Sequence, residues 1–296
     1  MGGKPLLLAA AVMAIVVTAP AHVNTTAGAV STGSVSTASD DARPVSTAPV
    51  RLAAGTIVTH HLITNLDGAT TPASLGFDVF DVGPTPELIN ALPAGVRAMV
   101  WLGQKCPTPI DDAFRTRVRA LAANPKVYGY YLSDEPHISS CPRGPAALRS
   151  RADYIRNITG GRQKTFVVLE DRPDMRAFRP YVTHVNLVGI DPYPCSIANG
   201  CVLSKINSRV NAALAVGIPR GKLVPVYQAF GQSLSSEERY YKLPSPAQLQ
   251  AILDRWHRLL PTPQLDYAYS WGHQGMSNPT LIDRPLLQAV FARHFN

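Results

Sequence analysis

Asp134 and Glu135 have the clearest capacity for chemistry in this sequence. They are adjacent carboxylates that close the run Val127-Tyr-Gly-Tyr-Tyr-Leu-Ser-Asp-Glu-Pro136. Its β-branched and aromatic residues make the run a strand, and Pro136, which cannot donate to a sheet ladder, ends it. Acids at the end of a buried strand need a cleft or a partner, and such pairs are commonly kept for proton chemistry. The competing reading is a turn with Asp134 as a cap. Comparable endings recur along the chain: Asp81, Trp101 with Gln104, Glu170-Asp171, Asp191-Pro-Tyr193-Pro, Tyr227-Gln228 and Tyr269-Ser-Trp271-Gly. Carboxylates can protonate a glycosidic oxygen and support an oxocarbenium-like centre, and aromatic faces pack on pyranose rings. The set reads as a sugar site. Glu135, Asp191 and Asp134 are its catalytic candidates, with Trp101, Tyr131, Glu170, Tyr193, Gln228 and Trp271 as substrate contacts.

Other chemistries fit less well. His60 and His61 are adjacent, so in a strand their side chains point to opposite faces and cannot share one metal ion. No Gly-x-Ser-x-Gly elbow occurs, and no Gly-rich turn prepares a nucleotide site. The reading therefore includes neither a metal nor a cofactor. The formal charge of +8 raises the question of nucleic acid, but the Arg residues are spread along the chain without a Lys/Arg run. A solvated basic surface is the simpler account.

These endings must be held by elements, and the elements alternate. Eight strand-like runs are Thr56–Leu62, Phe77–Val82, Val96–Leu102, Val127–Ser133, Thr165–Leu169, Val185–Ile190, Leu223–Tyr227 and Asp266–Ser270. Most are near-continuous apolar runs, as expected of parallel strands buried on both faces. Amphipathic helices lie between them: Thr85-Pro86 and Ser245-Pro246 mark helix starts, Asp111 opens another, and Gly160-Gly161 and Gly217 end two more. Trp256 falls on an apolar helical stripe with Leu249, Leu253 and Leu260 and reads as core. The first and fifth helices look short. Eight β/α repeats over about 240 residues predict a (β/α)8 TIM barrel from residue 55 to 296. The active site of such a barrel forms at the C-terminal ends of its strands, where these residues fall.

Ahead of the barrel, Lys4, the apolar run Leu6–Val17 and Ala19-Pro-Ala21 read as a secretory signal peptide cleaved after Ala21. The apolar run is too short to anchor in a membrane. Residues 22–54 are rich in Ser, Thr, Ala and Pro without helical period and read as a disordered linker. Export gives the four cysteines a meaning, since an even count in an oxidising compartment favours disulfides. Cys195 and Cys201 are spaced for a small local loop, which leaves Cys106 and Cys141 to pair by elimination. The expected product is a secreted monomer that binds carbohydrate.

Tyr-Leu-Ser-Asp134-Glu135-Pro also resembles the Asn-Glu-Pro signature at strand four of clan A glycoside hydrolases, with Asp134 in place of the Asn. Tyr269-Ser-Trp271-Gly resembles that clan's strand-eight Trp, and Asp191-Pro-Tyr193-Pro the strand-six ending of secreted glycosidase-like barrels. The resemblance implies a TIM-barrel glycosidase with Glu135 as acid/base. It also implies a nucleophilic Glu at the end of strand seven, where this chain has Gln228, and an amide cannot form a glycosyl ester. The partner is then expected at Asp191, with inversion at the anomeric carbon and a gap of about 6.5–9.5 Å between carboxyls. A substrate-assisted route would want an Asp two residues before the acid, and Ser133 stands there. The rival functions are a carbohydrate-binding barrel without catalysis and a phosphodiesterase, which would want metal ligands or clustered cations.

Overall fold

The computed structural model describes residues 57–66, 71–232, 240–273 and 278–295, so the expected signal peptide and linker lie outside the described residues. The elements run β1 (His60–Ile63), β2 (Val79–Val82), α1 (Pro86–Asn90), β3 (Arg97–Trp101), α2 (Asp112–Leu121), β4 (Val127–Asp134), α3 (Gly144–Thr159), β5 (Lys164–Leu169), α4 (Arg172–Phe178), α5 (Pro180–Thr183) and β6 (Leu187–Ile190). They continue with β7 (Cys195–Ser196), β8 (Gly200–Cys201), α6 (Ser204–Ala215), β9 (Leu223–Gln228), α7 (Pro246–Leu259), β10 (Leu265–Tyr269) and α8 (Pro285–Phe295). Eight strands close a barrel in the order β1-β10-β9-β6-β5-β4-β3-β2, and every pair is parallel. The chain is a (β/α)8 TIM barrel. The small antiparallel pair β7–β8 sits on the loop after β6.

The local signals act as expected. Ser245 and Gln248 form a reciprocal capping box at α7, and Asp111 accepts from the Phe114 amide at 2.7 Å at the start of α2. Gly160 closes α3 in the left-handed conformation. Thr85 stands at the N-cap of α1 but makes no side-chain cap bond, so Pro86 alone marks that start. The unit after β1 has only a 3-10 turn, Thr71–Leu75, and the fifth helix is split into α4 and α5. Among the described residues no helix is long and apolar enough to cross a membrane.

The core has two parts. Leu62, Val79, Met99, Tyr131, Phe166, Val224, Leu265 and Tyr267 fill the lumen, while Trp256, Phe178 and Phe291 pack between barrel and helices. Strand β4 is irregular where it matters most. Its register against β3 jumps between Ala98 and Met99, and against β5 between Tyr131 and Ser133. Such bulges bend a strand and re-aim its side chains. Gly129 sits at the first jump, and a Cβ there would lie 2.5 Å from the Lys164 carbonyl oxygen. Gly129→Ala is accordingly expected to cost about 1–3 kcal/mol of unfolding free energy. Denaturant unfolding checks this, and an unchanged midpoint would contradict it.

Candidate active site

The irregular end of β4 presents both acids to one place. Neighbouring side chains of a regular strand point to opposite faces. Here Glu135 takes φ 44°, unusual for a residue with a Cβ, while its amide still bonds the Val168 carbonyl of β5 at 3.1 Å. A backbone held in a sparsely populated region against a fixed neighbour is a frequent property of functional positions. Asp134 accepts a 2.5 Å hydrogen bond from the Tyr131 hydroxyl. Burial and then the charge of Glu135 push its carboxyl up to about 6, against the pull of Tyr131 and Lys105.

Asp191, just past β6, is buried, and its carboxyl interacts with that of Glu135. Burial first, then the Glu135 charge, holds its carboxyl well above the usual range. Its Oδ1 is shut away with no donor. Carboxyls brought near one another favour the protonated form, and burial favours it most at Asp191. Asp81 closes the ring from β2, where burial and the nearby Asp134 push its carboxyl up to about 8. Glu170, half-buried after β5, is raised by burial, Glu135 and Asp171.

Aromatic rings line the same mouth. Tyr131 lies edge-on to Trp101 at 4.7 Å and touches Phe166 at 4.8 Å and Tyr267 at 6.4 Å. Trp101 is 37% exposed and is the open ring of the set. Tyr193 is enclosed by Phe230 at 4.9 Å, Tyr241 at 5.4 Å and Tyr269 at 6.2 Å. The structure thus brings Asp134, Glu135, Glu170, Asp191, Tyr131, Trp101 and Tyr193 to one end of the barrel.

Two predicted contacts are placed differently. Trp271 follows β10 as expected but is only 2% exposed, and its Nε1 is buried without a partner. It forms wall, with no open stacking face. Gln228 is fully buried. Its Oε1 accepts from the Cys195 amide at 2.8 Å, and its Nε2 donates to the carbonyls of Cys195 at 2.9 Å and Lys242 at 3.0 Å. The amide is used to fasten the β7–β8 loop and does not line the cleft.

Sequence reasoning overlooked several participants. Tyr267 and Tyr269 were legible, since Leu265-Asp-Tyr-Ala-Tyr alternates and puts them on the lumen face with Leu265. Phe230 and Tyr241 come from loops and carry no periodic signal. Arg151, buried on α3, donates to the Thr108 carbonyl at 2.9 Å and hydroxyl at 3.0 Å and to Gln104 Oε1 at 3.3 Å, holding the loop that carries Lys105. Ser133 Oγ fastens the same loop through the Gln104 carbonyl at 2.5 Å. His137, Asp171 and Asp174 bring ligand atoms within 4.8 Å of one another. Both oxygens of Asp174 are already used, by His137 at 2.8 Å and the Ile138 amide at 2.7 Å, and Asp171 pairs with Arg209 at 3.8 Å. That trio reads as loop fastening.

Both disulfides are present. Cys106–Cys141 ties the loops after β3 and β4 with a Cα separation of 5.4 Å, and Cys195–Cys201 closes the β7–β8 hairpin.

No protein-family model matches the sequence, and no curated protein matches it. Solved structures do. An endo-β-1,3-glucanase of family 128 from Amycolatopsis mediterranei, solved with laminaritriose, superposes with a TM-score of 0.51 at 12% identity, covering 81% of this chain and 100% of that one. The shared feature is the TIM barrel. A fungal family 18 endo-β-N-acetylglucosaminidase gives a TM-score of 0.51 at 10% identity over 79% of this chain and 97% of its own. A chitinase-like agglutinin from Robinia pseudoacacia gives 0.50 at 10% identity over 80% and 99%. At such identities the likeness establishes the barrel and leaves the chemistry to the site itself.

Proposed function

We propose that this protein is a secreted glycosidase that cleaves O-glycosidic bonds of an oligo- or polysaccharide, with Glu135 as the general acid. The observation that carries the reading is the carboxyl pair Glu135–Asp191 at the mouth of an aromatic-lined barrel. Glu135, in its protonated form, gives its proton to the glycosidic oxygen as the bond to the anomeric carbon breaks. Water then forms the new bond to that carbon, and the proton it releases restores Glu135. The carboxylate it becomes is stabilised by a hydrogen bond from Asp191, which burial keeps protonated. Asp134, held by Tyr131, faces the positive charge that develops on the sugar. Trp101 supplies an open flat surface for a pyranose ring, with Tyr131 and Tyr193 as the aromatic wall behind it. Glycosidases and a lectin share the fold, and the nearby laminaritriose complex is one example of a carbohydrate held by such a barrel.

The role of Asp134 sets a pH dependence. Its carboxyl titrates at about 6, so the anionic form needed opposite the sugar is lost as pH falls through that value. The kcat/KM profile should show an acid limb near pH 6, and Asp134→Asn should lower activity and remove the limb. A limb that persists in Asp134→Asn assigns it to another group.

A second reading, a barrel that binds carbohydrate without cleaving it, is favoured by Gln228, which leaves the end of β9 without a carboxylate. One experiment separates the two. Purified protein is incubated with a broad panel of polysaccharides and aryl glycosides, and both binding and newly released reducing ends are measured. Release that depends on Glu135 supports hydrolysis; saturable binding with no release supports the lectin-like reading. Secretion is supported by the two disulfides. N-terminal sequencing of exported protein should begin at His22.

A further inference from the structure

The opposite mouth of the barrel carries a second site. A cavity of about 340 Å³ opens among the strand starts, lined by Arg97, Lys164, Arg162, His60, Tyr128 and the apolar pair Ile57 and Val58. We infer that this cavity binds a phosphate group, and that Arg97, Arg162 and Lys164 hold it.

The case rests on cations without partners. Among the described residues none of Arg97, Arg162 and Lys164 forms an ion pair, although nine such pairs occur elsewhere. Arg97 lies over the Tyr128 ring at 4.8 Å, and one of its terminal nitrogens makes a single long bond, 3.5 Å, to the Val127 carbonyl. Stacking fixes the plane of a guanidinium while leaving most of its donors free, the arrangement that suits a bidentate grip on phosphate. Asp78, the carboxylate bonded to the cavity residue His60, is already committed: it accepts from His60 at 2.6 Å and from the His61 amide at 2.7 Å. Crowding of positive charge extends beyond the cavity: Lys222 is pushed down by burial and by the neighbouring Lys164. An anion would relieve that repulsion.

The volume exceeds what one phosphate fills, and the exposed side chains of Ile57 and Val58 would meet an apolar or glycerol-like remainder. The chemistry is therefore a phosphate monoester or diester, free or as one unit of a polymer. Such a site is distinct from the carboxylates, which gather at the other end of the barrel. Its occupation would leave the sugar cleft open.

Calorimetric titration of the full secreted chain with inorganic phosphate, and separately with short poly(glycerol phosphate), tests the proposal at constant ionic strength set by chloride. Saturable one-site binding is expected. Arg162→Gln combined with Lys164→Gln should weaken it about tenfold or more, with the fold and any glycosidase activity unchanged. Arg117→Gln, an exposed control on α2, should leave binding intact. Tighter binding of the polymer at equal phosphate concentration would assign the diester as the ligand; equal or tighter binding of inorganic phosphate would assign the free ion. The proposal is overturned if chloride competes as well as phosphate, or if Arg117→Gln weakens binding as much as the double variant. Should the double variant fail to fold, Lys164→Gln alone with the same comparison decides.

Discussion

Replacing Glu135 with Gln is expected to lower turnover by about 10²–10⁴-fold while leaving the unfolding midpoint within a degree or two of wild type. Gln keeps the shape and can still accept from a protonated Asp191, so substrate binding should persist. What is lost is the proton for the departing oxygen. Steady-state kinetics on any substrate found in the panel, with thermal unfolding alongside, checks both halves. Near wild-type turnover would remove Glu135 from the mechanism. Asp191→Asn offers a useful contrast. An amide there can still donate a hydrogen bond to Glu135, so a milder loss is expected than for Glu135→Gln.

The largest expected effect on stability lies at Gln228. Gln228→Ala strands the amide and carbonyl of Cys195 and the carbonyl of Lys242 in the interior. Each buried group left without a partner costs about 1–3 kcal/mol, so a loss of about 2–4 kcal/mol follows after partial relaxation. For a domain of this size that lowers Tm by roughly 5–15 °C. Gln228→Glu is the sharper case. It restores the carboxylate that clan A barrels have at this strand end, yet aims it at two backbone carbonyls. Destabilisation without any gain in activity is expected. A gain in turnover on Gln228→Glu would show that the side chain can leave the β7–β8 loop and reach the sugar.

The barrel was legible because its signals are local and repeated. Eight apolar runs, helix caps at Asp111 and Ser245 and the glycine stop at Gly160 each fix a piece of chain, and their alternation leaves few topologies. Strand-end carboxylates were legible for the same reason, since barrel topology alone brings β2, β4, β5 and β6 to one mouth. What escaped was geometry that depends on irregularity. Parity along β4 does not predict the register jumps that bend the strand or Glu135 at φ 44°, because these depend on the neighbouring strands. The interaction between Glu135 and Asp191 likewise depends on side-chain reach across the barrel mouth, which spacing cannot give. Gln228 misled for a different reason. A polar residue at a strand end looks the same in sequence whether it meets a ligand or fastens a loop, and the partner loop is 33 residues away.

The central claim is that Glu135 delivers a proton to the leaving group, and leaving-group dependence tests it most directly. Wild type and Glu135→Gln would be compared on a series of aryl glycosides running from dinitrophenyl, which departs without help, to unsubstituted phenyl, which needs a proton. The account predicts that Glu135→Gln loses progressively more activity as the leaving group worsens, keeping most of its rate on the dinitrophenyl glycoside. A loss of equal size across the whole series would contradict it and leave Glu135 as a residue that only shapes the cleft.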